Sequence, residues 1–244
     1  MNYRLRIQYD GTRYAGWQRQ KSSENTIQGK IENVLGKMIN NPVQIIGASR
    51  TDAGVHAVGQ VANVQLPDEA RSEEDVKEYL NKYLPDDIAI TEVKRVSDNF
   101  HSRFNAGDKI YRYRIATSTD KHVFGRKYIY DLQQQLDIQR MKEAAELLLG
   151  EHDFQGFCAK KMKKSSVRCL DKIEFQEKDN ILNITYQGSG FLYHMVRIMT
   201  GTLIEVGLHQ RTVESMNEIL TKKERALAGY LVPAKGLCLM EVAY

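Results

Sequence analysis

Cysteine is scarce in this sequence of 244 residues. Its three cysteines, Cys158, Cys169 and Cys238, are odd in number and form no CxxC pair. Because structural disulfides and zinc ribbons both depend on paired cysteines, we expect neither. Thiols that stay free are typical of a reducing compartment, so the composition predicts a cytoplasmic protein.

Long hydrophobic runs are also missing. The most apolar stretch, Phe191–Leu208, carries His194, Arg197 and Glu205, which argues against a membrane span. The first residues, MNYRLRIQYDG, contain no apolar segment of the kind that signal peptides carry. With 4 prolines and 17 glycines, the chain is neither collagen-like nor dominated by linkers. We therefore expect no membrane partner.

Several cofactor motifs do not occur. There is no P-loop, no GxGxxG after a strand, no HxxxH or HExxH pair and no GxSxG turn. We therefore expect no cofactor and no metal. Gly188-Ser-Gly190 does join a predicted strand to a predicted helix, where it is either a phosphate site or a plain turn.

The hydrophobic pattern predicts an α+β protein whose first half has the ferredoxin-like order β-α-β-β-α-β. A composition of 42% apolar and 27% charged residues is enough to form a core. Alternation or apolar runs predict the four strands, and helical spacing after Asn25-Thr26 and Ser72 predicts the two helices. The predicted strands cover residues 3–9, 43–48, 58–66 and 88–96.

The same order recurs in the second half. Strands are predicted over 109–117, 167–176, 181–187 and 237–243, and helices over 138–149, 191–206 and 212–220. Asp137 is the predicted cap of the first of these helices, and Gly150 its end. The boundary lies near His101–Gly107 and has no linker, so we divide the chain into 1–105 and 106–244 and expect one packed body with a basic cleft.

Positive charge is clustered in three segments, two of which contain interleaved aromatic residues. Basic side chains neutralise phosphates and flat rings stack on bases, so the pattern favours a polyanionic partner. An ordinary solvated surface is the alternative, especially for Lys160–Lys164. The clusters are Arg4, Arg6, Arg13, Arg19 and Lys21; Arg103, Lys109, Arg112 and Arg114; and Lys160, Lys161, Lys163, Lys164, Arg168 and Lys172.

A loop between two predicted strands, Ser49–His56, concentrates Arg50, Asp52 and His56. Asp52-Ala-Gly54 is a good turn sequence, so a purely structural role is one interpretation. The other is chemical, because strand ends present functional groups and an arginine keeps a nearby carboxylate ionised. An ionised carboxylate can act as a nucleophile or a base, which makes Asp52 the candidate catalytic residue.

Arg197 lies in a mostly apolar predicted helix. Either it extends to solvent, or it is partly buried and needs a carboxylate partner. We hypothesise that it pairs with Asp52 across the cleft. Tyr111 and Tyr113 share one face of their strand, where they are either core residues or cleft residues able to stack on a base and exchange a proton.

These residues lie in segments that resemble the tRNA pseudouridine synthase A family over nearly the whole chain. The string RTDAGVHA, residues 50–57, is highly specific. Two departures are Gly156, where the family often has serine, and the lysine-rich segment after it. The matching segments are Tyr9–Gln20, Gly47–Ala57, Phe100–Phe104 with Lys109–Tyr113, Gly190–Arg197 and Pro233–Leu237.

The resemblance implies an isomerase that converts uridine to pseudouridine in the anticodon stem-loop of tRNA, at tRNA positions 38, 39 and 40, without cofactor or metal. Asp52 would be the catalytic aspartate, Arg197 its salt-bridge partner and Tyr111 the ring that stacks on the base and assists proton transfer. Arg50, Leu237, His56 and Arg103 would bind substrate. The implied architecture is two related halves with a continuous, mainly antiparallel sheet, helices packed on it and a basic cleft, in a homodimer.

Two other functions fit parts of the pattern. Tandem RRM domains also have ferredoxin-like order, but the predicted strand from Val58 lacks the aromatic residues of an RRM. A hydrolase using Asp52 and His56 is the second alternative. The sequence does not choose whether Asp52 attacks the base, attacks the ribose or removes a ribose proton.

Overall fold

A computed structural model describes residues 1–67 and 71–244. These form two compact units, one of residues 1–107 with 238–244 and the other of residues 108–237. The strands are β1 (Asn2–Tyr9), β2 (Ile45–Gly47), β3 (His56–Gln65), β4 (Ile88–Val96), β5 (Lys109–Ala116), β6 (Tyr130–Asp131), β7 (Gly150–Asp153), β8 (Val167–Lys178), β9 (Ile181–Gly188) and β10 (Leu237–Val242). The α-helices are α1 (Ile27–Ile39), α2 (Glu73–Tyr83), α3 (Ile138–Glu146), α4 (Met195–Gly207) and α5 (Ser215–Lys222).

The first unit has the predicted β-α-β-β-α-β order, which is confirmed. Its strands lie in the order β4-β1-β3, with β2 and β10 both paired to β3. All of these pairs are antiparallel except β10 with β3. The alternation in β1 buries Tyr3, Leu5, Ile7 and Tyr9, as expected for a strand with one face on a core.

Both helices of the first unit have an N-cap residue, whose side chain accepts a hydrogen bond from a backbone N–H in the first turn. Thr26 Oγ1 accepts a hydrogen bond from the Gly29 N–H at 3.2 Å. Ser72 and Asp75 form a reciprocal capping box at the start of α2. The sequence predicted both starts, because capping depends on residues within a single turn of helix.

The second unit has the strand order β5-β9-β8-β7, in which all neighbouring pairs are antiparallel. Strand β6 pairs with β5 in parallel. The predicted strands near β5, β8 and β9 are confirmed, whereas β6 and β7 were missed because each is too short to show an alternating pattern. Helix α3 starts at its predicted cap, Asp137, but ends at Glu146.

Two helix starts predicted in this unit were also wrong. Helix α4 begins at Met195, not Phe191, because His194 has a left-handed backbone with φ 64° and cannot continue a right-handed helix. Helix α5 begins at Ser215 rather than Thr212. The later start of α4 puts Arg197 in the first turn of that helix.

The closing strand groups with the first unit, whereas our sequence-based division placed everything after residue 105 in the second half. Cys238 and Leu239 are in register with His56 and Ala57 of β3. The Tyr244 hydroxyl also donates a hydrogen bond to the Ser102 carbonyl at 2.6 Å. Such long-range pairing is not visible in local sequence. Over the described ranges, no helix is both long and apolar enough to cross a membrane.

Candidate active site

Asp52 begins a tight turn between β2 and β3. The Val55 N–H donates a hydrogen bond to the Asp52 carbonyl at 3.2 Å, and Gly54 has φ 78°. A positive φ at the third residue identifies a type II turn, which glycine adopts without strain. The turn chemistry predicted for Asp52-Ala-Gly54 is therefore confirmed. The Asp52 residue is half-buried and Arg50 is exposed.

Buried polar side chains hold the residues just before this turn. Gln60 is fully buried, and its amide donates to the Ser49 carbonyl at 2.8 Å and accepts from the Ser49 N–H at 3.3 Å. Thr51 Oγ1 lies 2.7 Å from the Tyr9 hydroxyl, and the Thr51 carbonyl accepts from the Trp17 backbone N–H at 3.0 Å. The backbone on the N-terminal side of Asp52 therefore has fixed contacts on two sides.

The segment Tyr9–Trp17 supports the other side of the turn. The Gly54 N–H donates to the Tyr14 carbonyl at 3.3 Å. The Tyr14 hydroxyl bonds to Asp87, which also pairs with Arg13. Burial, followed by the hydrogen bond to Asp87, raises the pKa of Tyr14 to about 12. The segment Tyr9–Trp17 is part of the resemblance described above. In the structure its backbone forms hydrogen bonds with the Asp52 turn.

His56 lies at the start of β3 and is buried. Its Nδ1 is 3.1 Å from the Gly11 nitrogen, which is placed to donate to it, and 3.2 Å from an Asp10 carboxylate oxygen. These contacts give the imidazole a packing role behind the turn. Its predicted contact with the substrate stays a prediction.

Arg103 is exposed on an ordered loop of the first unit. The His101 and Phe104 rings stack with centroids 4.1 Å apart, and Phe104 is 79% exposed. The Ser102 N–H between them donates to Asn63 Oδ1 at 2.9 Å. The loop therefore presents a cation and an aromatic surface on a backbone with fixed contacts.

In the second unit, the predicted faces of β5 are confirmed. Tyr111 and Tyr113 are buried on one face, and Arg112 is half-buried on the other. Tyr111 contacts the Phe191 ring edge-on at 5.2 Å between centroids. Tyr113 is fully buried and its hydroxyl donates to the Pro233 carbonyl at 2.7 Å, and burial raises its pKa. Tyr113 is thus a core residue, and Tyr111 is the candidate for chemistry.

Arg197 is the third residue of α4 and is half-buried. Its Nε donates to the Val232 carbonyl at 2.9 Å. A cation in the first turn of a helix meets the positive end of the helix dipole, so this position favours an anionic partner. The segment carrying Val232 is itself held to α4, where the Gly229 N–H donates to Thr202 Oγ1 at 2.9 Å. Leu237, at the end of the same segment, is 5% exposed.

Sequence reasoning missed the residues that position these groups. Gln60 and Thr202 are buried polar side chains inside a strand and a helix, where nothing in the local pattern distinguishes them from exposed polar residues. Gln60 lies in a strand that also contains the polar residues Asn63 and Gln65, so its position gave no distinguishing signal. Over the described residues, no group of three or more His, Cys, Asp or Glu side chains is placed to hold a metal ion.

Comparisons with known proteins identify the family of this chain. A family profile described as tRNA pseudouridine synthase matches residues 6–105 and 144–244. The chain is 51% identical to tRNA pseudouridine synthase A of Bacillus sp. (strain KSM-64) and 49% identical to tRNA pseudouridine synthase A 2 of a Bacillus cereus strain. It is 43% identical to tRNA pseudouridine synthase A of Clostridium kluyveri. Each alignment covers 100% of this chain and 99% of the relative. The chain belongs to the tRNA pseudouridine synthase family, isomerases that act on tRNA.

Proposed function

We propose that this protein isomerises uridine to pseudouridine in the anticodon stem-loop of tRNA and that Asp52 is its catalytic residue. The observation that carries the proposal is the Asp52 turn, which is supported by Gln60 and Thr51 and lies in the RTDAGVHA string. A carboxylate carried by a backbone with fixed contacts needs less reorganisation to act than one on a loose loop. Family membership supports the proposed isomerisation of uridine, and the geometry of the turn supports Asp52 as the catalytic residue.

The reaction breaks the N-glycosidic bond, turns the base and forms a bond between ribose C1′ and base C5. The product is an isomer of the substrate, so no electrons and no water are consumed. Asp52 attacks the base, attacks the ribose or removes a ribose proton, and each of these routes needs an ionised carboxylate. Cofactor chemistry is not part of this proposal.

Arg197 is proposed as the cation that keeps Asp52 ionised. Because Arg197 Nε is engaged by Val232, the terminal amino groups of the guanidinium would face the carboxylate. The position of Arg197 at the positive end of a helix adds to its preference for an anion. Changing Arg197 to Met should therefore reduce kcat, because the carboxylate would lose its proposed partner.

The remaining site residues are proposed to hold the extruded nucleotide. Taking a base out of its stack costs a few kcal/mol, which stacking and phosphate contacts offset. Tyr111 would stack on the uracil and assist proton transfer, and Leu237 would form an apolar wall. Arg50 and Arg103, both exposed, would contact phosphates, and His56 would support the turn from behind. We further propose a cytoplasmic homodimer.

Tritium release from C5-labelled uridine in tRNA transcripts tests the proposal, since C5 loses its hydrogen when the new bond forms. Asp52→Asn should abolish release and keep tRNA affinity, whereas the exposed Asp98→Asn, with the same charge change, should behave like the parent. Transcripts altered at one target uridine at a time locate the reaction. Unchanged release by Asp52→Asn would reject the assignment, and release of free uracil would indicate a hydrolase.

A further inference from the structure

A second group of cations lies in the second unit, on residues that the proposed function does not use. Residues 160–164, which we call the lysine loop, contain Lys160, Lys161, Lys163 and Lys164. No acidic residue occurs between Asp153 and Asp171. Among the described residues, Lys161, Lys163 and Lys164 have no carboxylate within ion-pair distance. Their charges are therefore not neutralised by the protein itself.

The lysine loop is held in shape by its neighbours. The Gln155 amide donates to the Lys160 carbonyl at 3.1 Å and accepts from the Met162 N–H at 3.0 Å. Just after the loop, the Ser166 hydroxyl donates to Asp153 at 2.5 Å. A loop that is already ordered loses less conformational entropy on binding than a disordered lysine-rich segment.

An exposed aromatic ring lies next to the lysine loop. Tyr193 is 40% exposed, and Lys160 Nζ lies 4.4 Å from its ring centroid. The Ala159 N–H donates to the Tyr193 carbonyl at 3.2 Å, which ties the two segments together. Tyr193 also stacks on His194, with centroids 3.7 Å apart. Cations beside a flat ring are the pattern by which proteins bind single-stranded nucleic acid without reading its sequence.

The first unit contains a similar pair in a different electrostatic setting. Lys82 Nζ lies 5.4 Å from the ring of Tyr83, which is 54% exposed. The helix that carries them, α2, also contains Glu73, Glu74, Asp75 and Glu78. The Lys82–Tyr83 pair therefore has the same residue types without the excess of positive charge, and it is a natural control.

We propose that the lysine loop and Tyr193 form a second RNA-binding surface, distinct from the catalytic turn, which holds the phosphate backbone of the tRNA substrate. Lys161, Lys163 and Lys164 contact phosphates. The Tyr193 ring stays stacked on His194, and an unpaired base stacks on it in place of the flexible Lys160 ammonium. The identity of the RNA rests on the function proposed above. RNA is favoured over an acidic protein because an exposed ring beside the cations gives a stacking surface that an acidic peptide does not use.

The salt dependence of tRNA binding tests the phosphate contacts. Each phosphate contact contributes about 0.7 to 0.9 to the slope of log K against log salt, so Lys161→Ala/Lys163→Ala/Lys164→Ala should lower the slope by about 2 to 3. We expect at least about a tenfold loss of affinity at moderate salt and an unchanged kcat at saturating tRNA. The control Lys37→Ala/Lys82→Ala/Lys142→Ala removes the same charge from exposed positions and should keep the parent slope.

The stacking contact is tested by Tyr193→Ala against Tyr83→Ala. Loss of one stacked base predicts weaker tRNA binding by about 5- to 150-fold for Tyr193→Ala and no change for Tyr83→Ala. Circular dichroism verifies that all variants are folded. An unchanged salt slope in the lysine-loop variant, or an equal loss in its control, overturns the proposal. The two proposals fail in different ways. If only the proposed function is wrong, the parent enzyme forms no pseudouridine, but the lysine-loop variant still binds tRNA more weakly than the parent.

Discussion

The contact between Gln60 and the Asp52 turn leads to a quantitative prediction for Gln60→Met. Methionine is similar in length to glutamine but cannot form the two hydrogen bonds with Ser49, at 2.8 and 3.3 Å, or accept from the Val61 N–H at 3.2 Å. Buried hydrogen bonds contribute about 0.5–1.5 kcal/mol each, and the longer ones lie at the weak end. The first unit should therefore lose about 1–3 kcal/mol of unfolding free energy.

Activity should fall as well, because Ser49 lies only three residues before Asp52 in the chain. Displacing a catalytic group by about 1 Å can cost on the order of 100-fold in rate, so we expect kcat to fall by about 10- to 100-fold. The KM for tRNA should change little, since Gln60 is fully buried and cannot touch RNA.

The assay combines urea unfolding with tritium release. Trp17 is the only tryptophan, is 1% exposed and donates its backbone N–H to Thr51, so its fluorescence reports on the first unit near the turn. Gln8→Met, at an exposed position of β1, is the matched control and should change stability by less than about 0.5 kcal/mol. A Gln60→Met variant with the parent's urea midpoint and kcat would refute the reasoning.

Three further predictions follow from other contacts. A Cβ atom on Gly11 would lie 1.9 Å from the Val55 carbonyl oxygen, so Gly11→Ala should push the turn away and lower the urea midpoint by the equivalent of about 1–3 kcal/mol or more. Thr202→Val removes the acceptor of the Gly229 N–H and should cost about 1–3 kcal/mol in urea unfolding, with a loss of kcat because that segment also carries Val232. The folded pKa of Tyr14, about 12, lies above the ordinary tyrosine value of 10.0, so its contribution to stability is complete below pH 10 and is lost as pH rises towards 12. Tyr14→Phe should therefore show a smaller drop in urea midpoint between pH 10 and 12 than the parent, and equal drops would contradict this role.

The elements most accurately predicted from sequence are those with local causes. The β1 alternation, the Thr26 cap, the Ser72–Asp75 capping box and the Asp52-Ala-Gly54 turn each depend on residues close together in the chain. The prediction of a helix boundary was wrong where the backbone conformation of one residue interrupts an apolar stretch. His194 is the example, since its left-handed φ delays the start of α4 although the residues before it are apolar.

The sequence by itself determined which residue is the candidate for the chemistry, because the RTDAGVHA string and its turn are local and specific. Only the tertiary structure decided what holds that residue in place. Gln60, Tyr9 and Trp17 are brought to the turn by strand pairing and loop packing, and Val232 is brought to Arg197 by a distant segment. Those contacts join residues far apart in the chain, and hydrogen bonds of this kind depend on three-dimensional position, which no local pattern of residue types contains.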